Sequence, residues 1–177
     1  AGKGEVLTLM KAEWQGGHAL LSGEALFCGY YLNELLMHLL PREDAHDRLF
    51  AGYAEMLARL ASDPGGRVRE ADLRSFEKIL LQELGYGLTL TRDSDGNPVQ
   101  PAAHYAYRME QGPVRLEHAE AAPQTVWGKT LIDLEAEDFS DARSRSEAKQ
   151  LMRTLIAYYL GGKELETRKI FKELQEL

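Results

Sequence analysis

Between Ser22 and Pro41 the chain carries an apolar run that a helix with one wet face does not need. Leu26, Tyr30, Leu36, Leu39 and Leu40 are joined by apolar residues on almost every face, which predicts a central, largely buried helix. Ser22 can cap it, Glu24 suits its first turn and Pro41 ends it. Such a helix has to be surrounded, so the fold class is mainly α, with further helices each offering one apolar face.

The sequence supplies those helices. Leu49, Phe50, Tyr53, Met56, Leu57 and Leu60 recur at three-and-four spacing, predicting a helix over about 45–61 that Ser62-Asp63-Pro64-Gly65-Gly66 breaks. A third helix is expected over about 70–84, with Leu73, Phe76, Leu80 and Leu84 on one side, Arg74, Lys78 and Gln82 on another, and Gly85 as a left-handed stop. Thr89, Thr91, Tyr105, Tyr107, Val114 and Leu116 lie among turn residues, so residues 88–118 read as a small β-rich insert of two or three short strands. A short helix is expected over 130–138. Ser144-Arg145-Ser146-Glu147 has capping-box spacing ahead of an apolar stripe from Ala148 to Tyr159, and Gly161-Gly162 ends that helix. Ile170, Phe171, Leu174 and Leu177 give a last helix one buried face. At the other end, Val6, Thr8 and Met10 alternate with Leu7, Leu9 and Lys11, as in a single strand whose partners belong to a β-rich unit not present in the chain.

Several kinds of chemistry are disfavoured. Cys28 is the only cysteine, so neither an internal disulfide nor a zinc site on cysteine pairs is available. Cys28 has no activating base nearby and falls within the buried helix pattern. The five histidines never stand at i, i+4 and have no HExxH setting. Asp93-Ser94-Asp95-Gly96-Asn97 begins like a calcium loop, but Pro98 and His104 occupy its glycine and glutamate positions, which favours an Asx-rich turn. No Walker loop, dinucleotide fingerprint or nucleophile elbow is present, and no cofactor is expected. Asp133, Glu135, Glu137 and Asp138 have the composition of a hydrolase acid/base pair, yet such runs are usually a solvated face. The apolar run from Ala25 to Leu40 is too short and too interrupted to span a bilayer.

Net charge is −7, unfavourable for holding a phosphate backbone by bulk electrostatics. It is unevenly spread: −3 over residues 1–61, −7 over 62–141 and +3 over 142–177. In the last segment Arg143, Arg145, Lys149 and Arg153 precede the glycine turn, and Lys163, Arg168, Lys169 and Lys172 follow it. Two readings stand side by side: a converging basic surface for phosphates or an acidic peptide, and an ordinary surface paired with Glu147, Glu164 and Glu173. Arg74 likewise has two readings. Next to Leu81 and Leu84 it suits the lip of an apolar groove that captures an acidic segment with a free carboxylate; alternatively it makes i, i+4 contacts on a solvated helix.

Tyr31-Leu32-Asn33-Glu34-Leu35-Leu36, Leu73-Arg74-Ser75-Phe76-Glu77, Leu84-Gly85-Tyr86-Gly87 and Tyr159-Leu160-Gly161-Gly162-Lys163 occur in this order along nearly the whole chain. Together they resemble the bacterial RecO family of recombination mediators. The resemblance implies a helical domain over 21–177 with a zinc-less insert at about 88–118, preceded at 1–20 by the last part of an OB-fold barrel. It implies a non-enzymatic, cytoplasmic, nucleoid-associated protein that binds single- and double-stranded DNA and anneals complementary strands. With RecR, such a protein helps to load RecA onto DNA coated by single-stranded DNA-binding protein, whose acidic C-terminal tail it also binds. Arg74 matches the first Arg of the family's Leu-Arg-Arg-Phe-Glu stretch and is the leading tail contact, with Leu81 and Leu84 as the groove beside it; the DNA-binding candidates are the basic residues Arg143, Arg145, Lys149, Arg153, Lys163 and Arg168, of which Lys163 and Arg168 fall in a family motif. Two departures stand out: Ser75 replaces the second Arg of Leu-Arg-Arg-Phe-Glu, and Lys163-Glu164-Leu165-Glu166-Thr167-Arg168 replaces Lys-Pro-Leu-Lys-Ser-Arg. The alternative function is a protein-interaction module that binds the tail with little affinity for DNA.

Overall fold

The computed structural model describes residues 9–13, 20–42, 44–62, 70–117 and 125–175. Six helices and one three-stranded sheet are formed by them: α1 (Gly23–Leu39), α2 (Asp47–Ser62), α3 (Glu70–Glu83), β1 (His104–Arg108), β2 (Gly112–Leu116), β3 (Thr125–Trp127), α4 (Gly128–Ala136), α5 (Ala142–Tyr159) and α6 (Glu166–Gln175). The strand expected at the start of the chain falls mostly outside the described residues, and the described stretch 9–13 contains no strand.

Helix α1 packs against α2 and α6, α2 against α3, and α3 against α5, while α5 also carries α4 and β3. Burial of Ala25, Gly29, Tyr31, Leu32, Leu35 and Leu39 fixes one face of α1 in the core. Its opposite side is wet, with Tyr30 53% and Met37 84% exposed, so the expected all-round burial is not realised. Tyr30 and Met37, seven residues apart, lie on the side of α1 that is not packed into the core. Gly85 (φ +75°) stops α3 as expected: its N–H donates to the carbonyl of Gln82, and that of Tyr86 to Leu81, a Schellman ending. Gly161 and Gly162 (φ +62° and +82°) turn the chain out of α5.

The capping box predicted at Ser144 is not the cap. Asp141 is the N-cap residue of α5, its carboxylate accepting the Ser144 N–H at 2.8 Å. Ser144 is therefore inside the first turn and buried, and its hydroxyl donates to Asp133 at 2.5 Å. Glu147, freed from capping, accepts from the Trp127 N–H (2.8 Å) and the Thr130 hydroxyl (2.7 Å), tying α5 to the β3–α4 junction.

The sheet is antiparallel in the order β2-β1-β3, with Tyr105 facing Arg115 on one side and Val126 on the other. Its third strand lies beyond the insert boundary expected at 118. Asp93 forms the Asx turn, its carboxylate accepting the N–H groups of Asp95 (3.0 Å) and Asn97 (2.8 Å). Tyr105 is fully buried, and its hydroxyl accepts the Gln100 N–H at 2.8 Å, pinning the insert loop to the sheet.

Candidate functional site

The residue that departs furthest from its sequence expectation is Arg74. It is 7% exposed and does not stand at the lip of an open groove; Lys78, one turn on, is buried too. The face of α3 that carries them is covered by other helices, which a solvated-helix pattern does not reveal. The Arg74 Nη2 donates to Oε1 of Glu77 at 2.6 Å, and Nη1 donates to the carbonyl of Lys149 on α5 at 3.4 Å. The hydroxyl of Tyr31, from α1, donates to the same Glu77 oxygen at 2.6 Å. Lys78 donates to the carbonyl of Glu135 at 2.6 Å and pairs with Glu135 and Glu137 at the end of α4.

Glu77 is fully buried, and burial pushes its carboxyl up against the opposing pull of Arg74, the Tyr31 hydroxyl, Arg168 and Arg153. Burial likewise raises the Tyr31 phenol, and the Glu77 charge adds to that. Arg168, on α6, lies 5.6 Å from the centre of the Tyr31 ring and donates to its hydroxyl at 3.4 Å. Helices α1, α3 and α6 thus bring Tyr31, Arg74 and Arg168 to one carboxylate, and the positive charge of Arg153 on α5 also acts on it. Among the described residues, Glu77 Oε2 and Arg74 Nε have no hydrogen-bond partner although both are buried. The cluster therefore leaves one donor and one acceptor unused.

The same helix, α3, supplies core residues. Phe76, Leu80 and Leu81 are buried, and Leu84 is partly buried against the core. Of the three tail-site candidates, Leu81 is core, Arg74 is in the cluster and Leu84 lies at the core margin.

The six DNA-binding candidates do not form one free basic surface. Arg143 pairs with Glu147 (2.7 Å) and lies over the Trp127 ring at 4.7 Å. Arg145 donates to the carbonyls of Phe139 (2.7 Å) and Ser140 (2.9 Å). Lys149 is paired with Glu70, whose carboxyl it holds down. Arg168 sits over Tyr31. Only the side chains of Arg153 and Lys163 make no ion pair or hydrogen bond with another described residue. Arg153, exposed, helps to line a cleft of about 410 Å³ between β3 and α5 with Thr125, Gln150 and Thr154.

Glu34, missed as a functional residue, docks α6. Its carboxylate accepts the N–H of Glu166 (2.6 Å), the N–H of Thr167 (3.0 Å) and the Thr167 hydroxyl (2.6 Å). Burial on its own raises that carboxyl, but the Thr167 and Glu166 hydrogen bonds outweigh it and hold Glu34 low. The signals were present in the sequence: Tyr31 and Glu34 both belong to Tyr31-Leu32-Asn33-Glu34-Leu35-Leu36, and Arg74 and Glu77 are opposite charges at i, i+3.

The carboxylates read for acid/base work are otherwise engaged: Asp133 with Lys129 and Ser144, Glu135 and Glu137 with Lys78, and Asp138 with the Ser140 N–H. Among the described residues no group of three or more His, Cys, Asp or Glu side chains is placed to hold a metal ion, and no helix is long and apolar enough to cross a membrane.

Comparison with known proteins agrees with the motif order. Residues 20–169 match the family described as recombination protein O, C terminal. A protein named DNA repair protein RecO from Dechloromonas aromatica is 77% identical over 177 residues, covering 100% of this chain and 73% of its own. Proteins of the same name from Aromatoleum aromaticum and Nitrosospira multiformis are 49% and 47% identical, covering 100% and 99% of this chain and 73% and 72% of theirs. The chain therefore belongs to the RecO family of DNA repair proteins.

Proposed function

We propose that this protein is a non-enzymatic recombination mediator in the bacterial cytoplasm, associated with the nucleoid. It works with RecR to load RecA onto DNA coated by single-stranded DNA-binding protein, and its helical domain captures the acidic tail of that coating protein. The observation that carries the reading is the buried Arg74–Glu77 pair with Arg168 close by on the Tyr31 hydroxyl, on the helix that also carries Leu81 and Leu84. An unused guanidinium donor on a helix with apolar side chains suits a chain end that offers a carboxylate and a hydrophobic side chain. DNA binding and strand annealing by charge screening fall to the outward cations, Arg153 and Lys163 foremost, with Arg143, Arg145, Lys149 and Arg168 contributing where their present partners are exchanged for phosphate.

A second reading, a protein-interaction module with little affinity for DNA, is favoured by one observation. Four of the six basic candidates already have partners within the chain, which carries a net charge of −7.

Fluorescence anisotropy distinguishes the two. An acidic peptide ending in an apolar residue with a free carboxylate is expected to bind in a salt-sensitive manner, and Arg74→Lys and Arg168→Ala each to weaken it about tenfold, the loss of one charge-assisted contact. A single-stranded oligonucleotide titrated alongside decides the DNA arm. Binding that falls steeply with salt supports the mediator, and none supports the interaction module. Failure of the chain to bind the peptide at any salt concentration contradicts the tail assignment.

A further inference from the structure

The other cations of α5 are tied down within the chain: Arg143 to Glu147, Arg145 to two backbone carbonyls and Lys149 to Glu70. Arg153 is exposed and has no such partner among the described residues. The sequence shows why. The positions three and four away on either side are Gln150, Lys149, Ile156 and Ala157, none of them acidic. Arg153 instead lines the cleft of about 410 Å³ between β3 and α5. Glu147, Gln150, Leu151 and Thr154 recur at three-and-four spacing, so one face of α5 makes one side of it, and Thr125 and Val126 make the other. Val126 and Leu151, each 4% exposed, give the cleft its apolar lining. The carboxylate that lines it, Glu147, is already satisfied by the Trp127 N–H, the Thr130 hydroxyl and the Arg143 Nε.

We propose that the β3–α5 cleft is a site for a single strand of nucleic acid, in which Arg153 and Gln150 hold one backbone phosphate and Val126 and Leu151 pack against the sugar. The proposal rests on the DNA-binding reading of Arg153 above and adds where the strand is held and by which part. A guanidinium beside an amide is a donor set that phosphate oxygens accept from. The volume is that of a small-ligand pocket, with room for about one nucleotide, and one unpaired cation matches one phosphodiester charge. A duplex carries its phosphates on the outside of stacked, paired bases and cannot follow them into a cleft of this size, so the site selects single strands. An extended peptide is the competing occupant, and β3 disfavours it. Strand addition uses the N–H groups along a free edge, and that of Trp127 is already donated to Glu147.

The test is the anisotropy of a fluorescent oligothymidylate titrated with the whole chain over a series of salt concentrations. Arg153→Gln is expected to weaken binding about five- to tenfold at low salt and to lower the slope of log K against log salt by about 0.7, one single-strand phosphate contact. Gln150→Glu, which adds a charge to the cleft and leaves the guanidinium in place, is expected to weaken binding at least as much. Both positions are exposed, so neither change threatens the fold. Arg108→Gln removes an exposed cation of β1 outside the cleft and is expected to stay within about twofold of wild type. A duplex of the same length is expected to bind all four proteins within about twofold. An Arg153→Gln effect no larger than that of Arg108→Gln, or equally large on the duplex, overturns the cleft and leaves the DNA-binding reading standing. Loss of acidic-peptide binding in Arg153→Gln with oligonucleotide binding unchanged gives the cleft to a peptide and overturns the strand. A wild-type chain that binds no oligonucleotide at any salt concentration overturns the cleft and the DNA-binding reading together.

Discussion

Glu77→Ala is expected to destabilise the fold by about 3–5 kcal/mol, because it strips the carboxylate from the centre of a buried cationic cluster. Arg74, 7% exposed, would keep only the long contact to the Lys149 carbonyl, and the buried Tyr31 hydroxyl would lose its acceptor. In a chain of this length the loss corresponds to a fall of roughly 6–20 °C in melting temperature. The cost comes from stranding charge and not from losing a favourable pair. A double variant, Arg74→Met with Glu77→Leu, is accordingly expected to recover most of the stability, since apolar replacement of a buried ion pair is often neutral or better. Thermal and urea melts of the two single variants and the double variant close the cycle. A Glu77→Ala protein within about 1 kcal/mol of wild type would mean that the cluster is solvated.

Gly128→Ala is the second large effect, and its cause is steric. Gly128 begins α4 immediately after β3, and its N–H donates to the carbonyl of Ala103 at 2.8 Å. A Cβ there would lie 2.0 Å from the Gln100 carbonyl oxygen and 3.1 Å from the Tyr105 ring. Neither neighbour can yield: Gln100 is held through its own N–H to the Tyr105 hydroxyl, and Tyr105 is fully buried in the central strand. The clash is with backbone, so the expected loss is about 3 kcal/mol or more, at the upper end of overpacking effects. Gly87→Ala, where nothing lies within 4 Å, serves as the control and is expected to stay within about 0.5 kcal/mol of wild type. Chemical denaturation of both variants measures the contrast, and equal midpoints would refute the close packing at Gly128.

Much of the helical frame was legible because its punctuation is chemical. Pro41, Gly85 and Gly161-Gly162 stop helices for reasons that do not depend on the rest of the fold, and the structure ends α1, α3 and α5 beside them. Reading the start of α5 from Ser144 failed because Asp141, three residues earlier, is also a good N-cap residue and the longer helix buries Ser144 against Asp133. The third strand, Thr125–Trp127, was missed because its partner, β1, lies about twenty residues upstream, and pairing at that distance leaves little local pattern. The site was legible as residues but not as an arrangement. Arg74 and Glu77 show the spacing of an ion pair, whereas their burial is decided by α5, α6 and Tyr31, which no periodicity of α3 encodes. The same limit applies to Arg143, Arg145 and Lys149. Composition placed them in a basic segment, and only the fold reveals Glu147, two backbone carbonyls and Glu70 as their partners.

These pairings divide the basic residues into two sets that respond differently to an acidic ligand. Arg74 and Arg168 are held at Glu77 and Tyr31, while Arg143 and Arg145 are held near Trp127 and at the carbonyls of the α4–α5 connection. The most direct test of the account is therefore an NMR titration of the arginine Nε–Hε signals of the whole chain with the acidic peptide. Arg74 and Arg168 are expected to shift together and saturably while Arg143 and Arg145 stay in place. Shifts confined to Arg143 and Arg145, or none at saturating peptide, would contradict it.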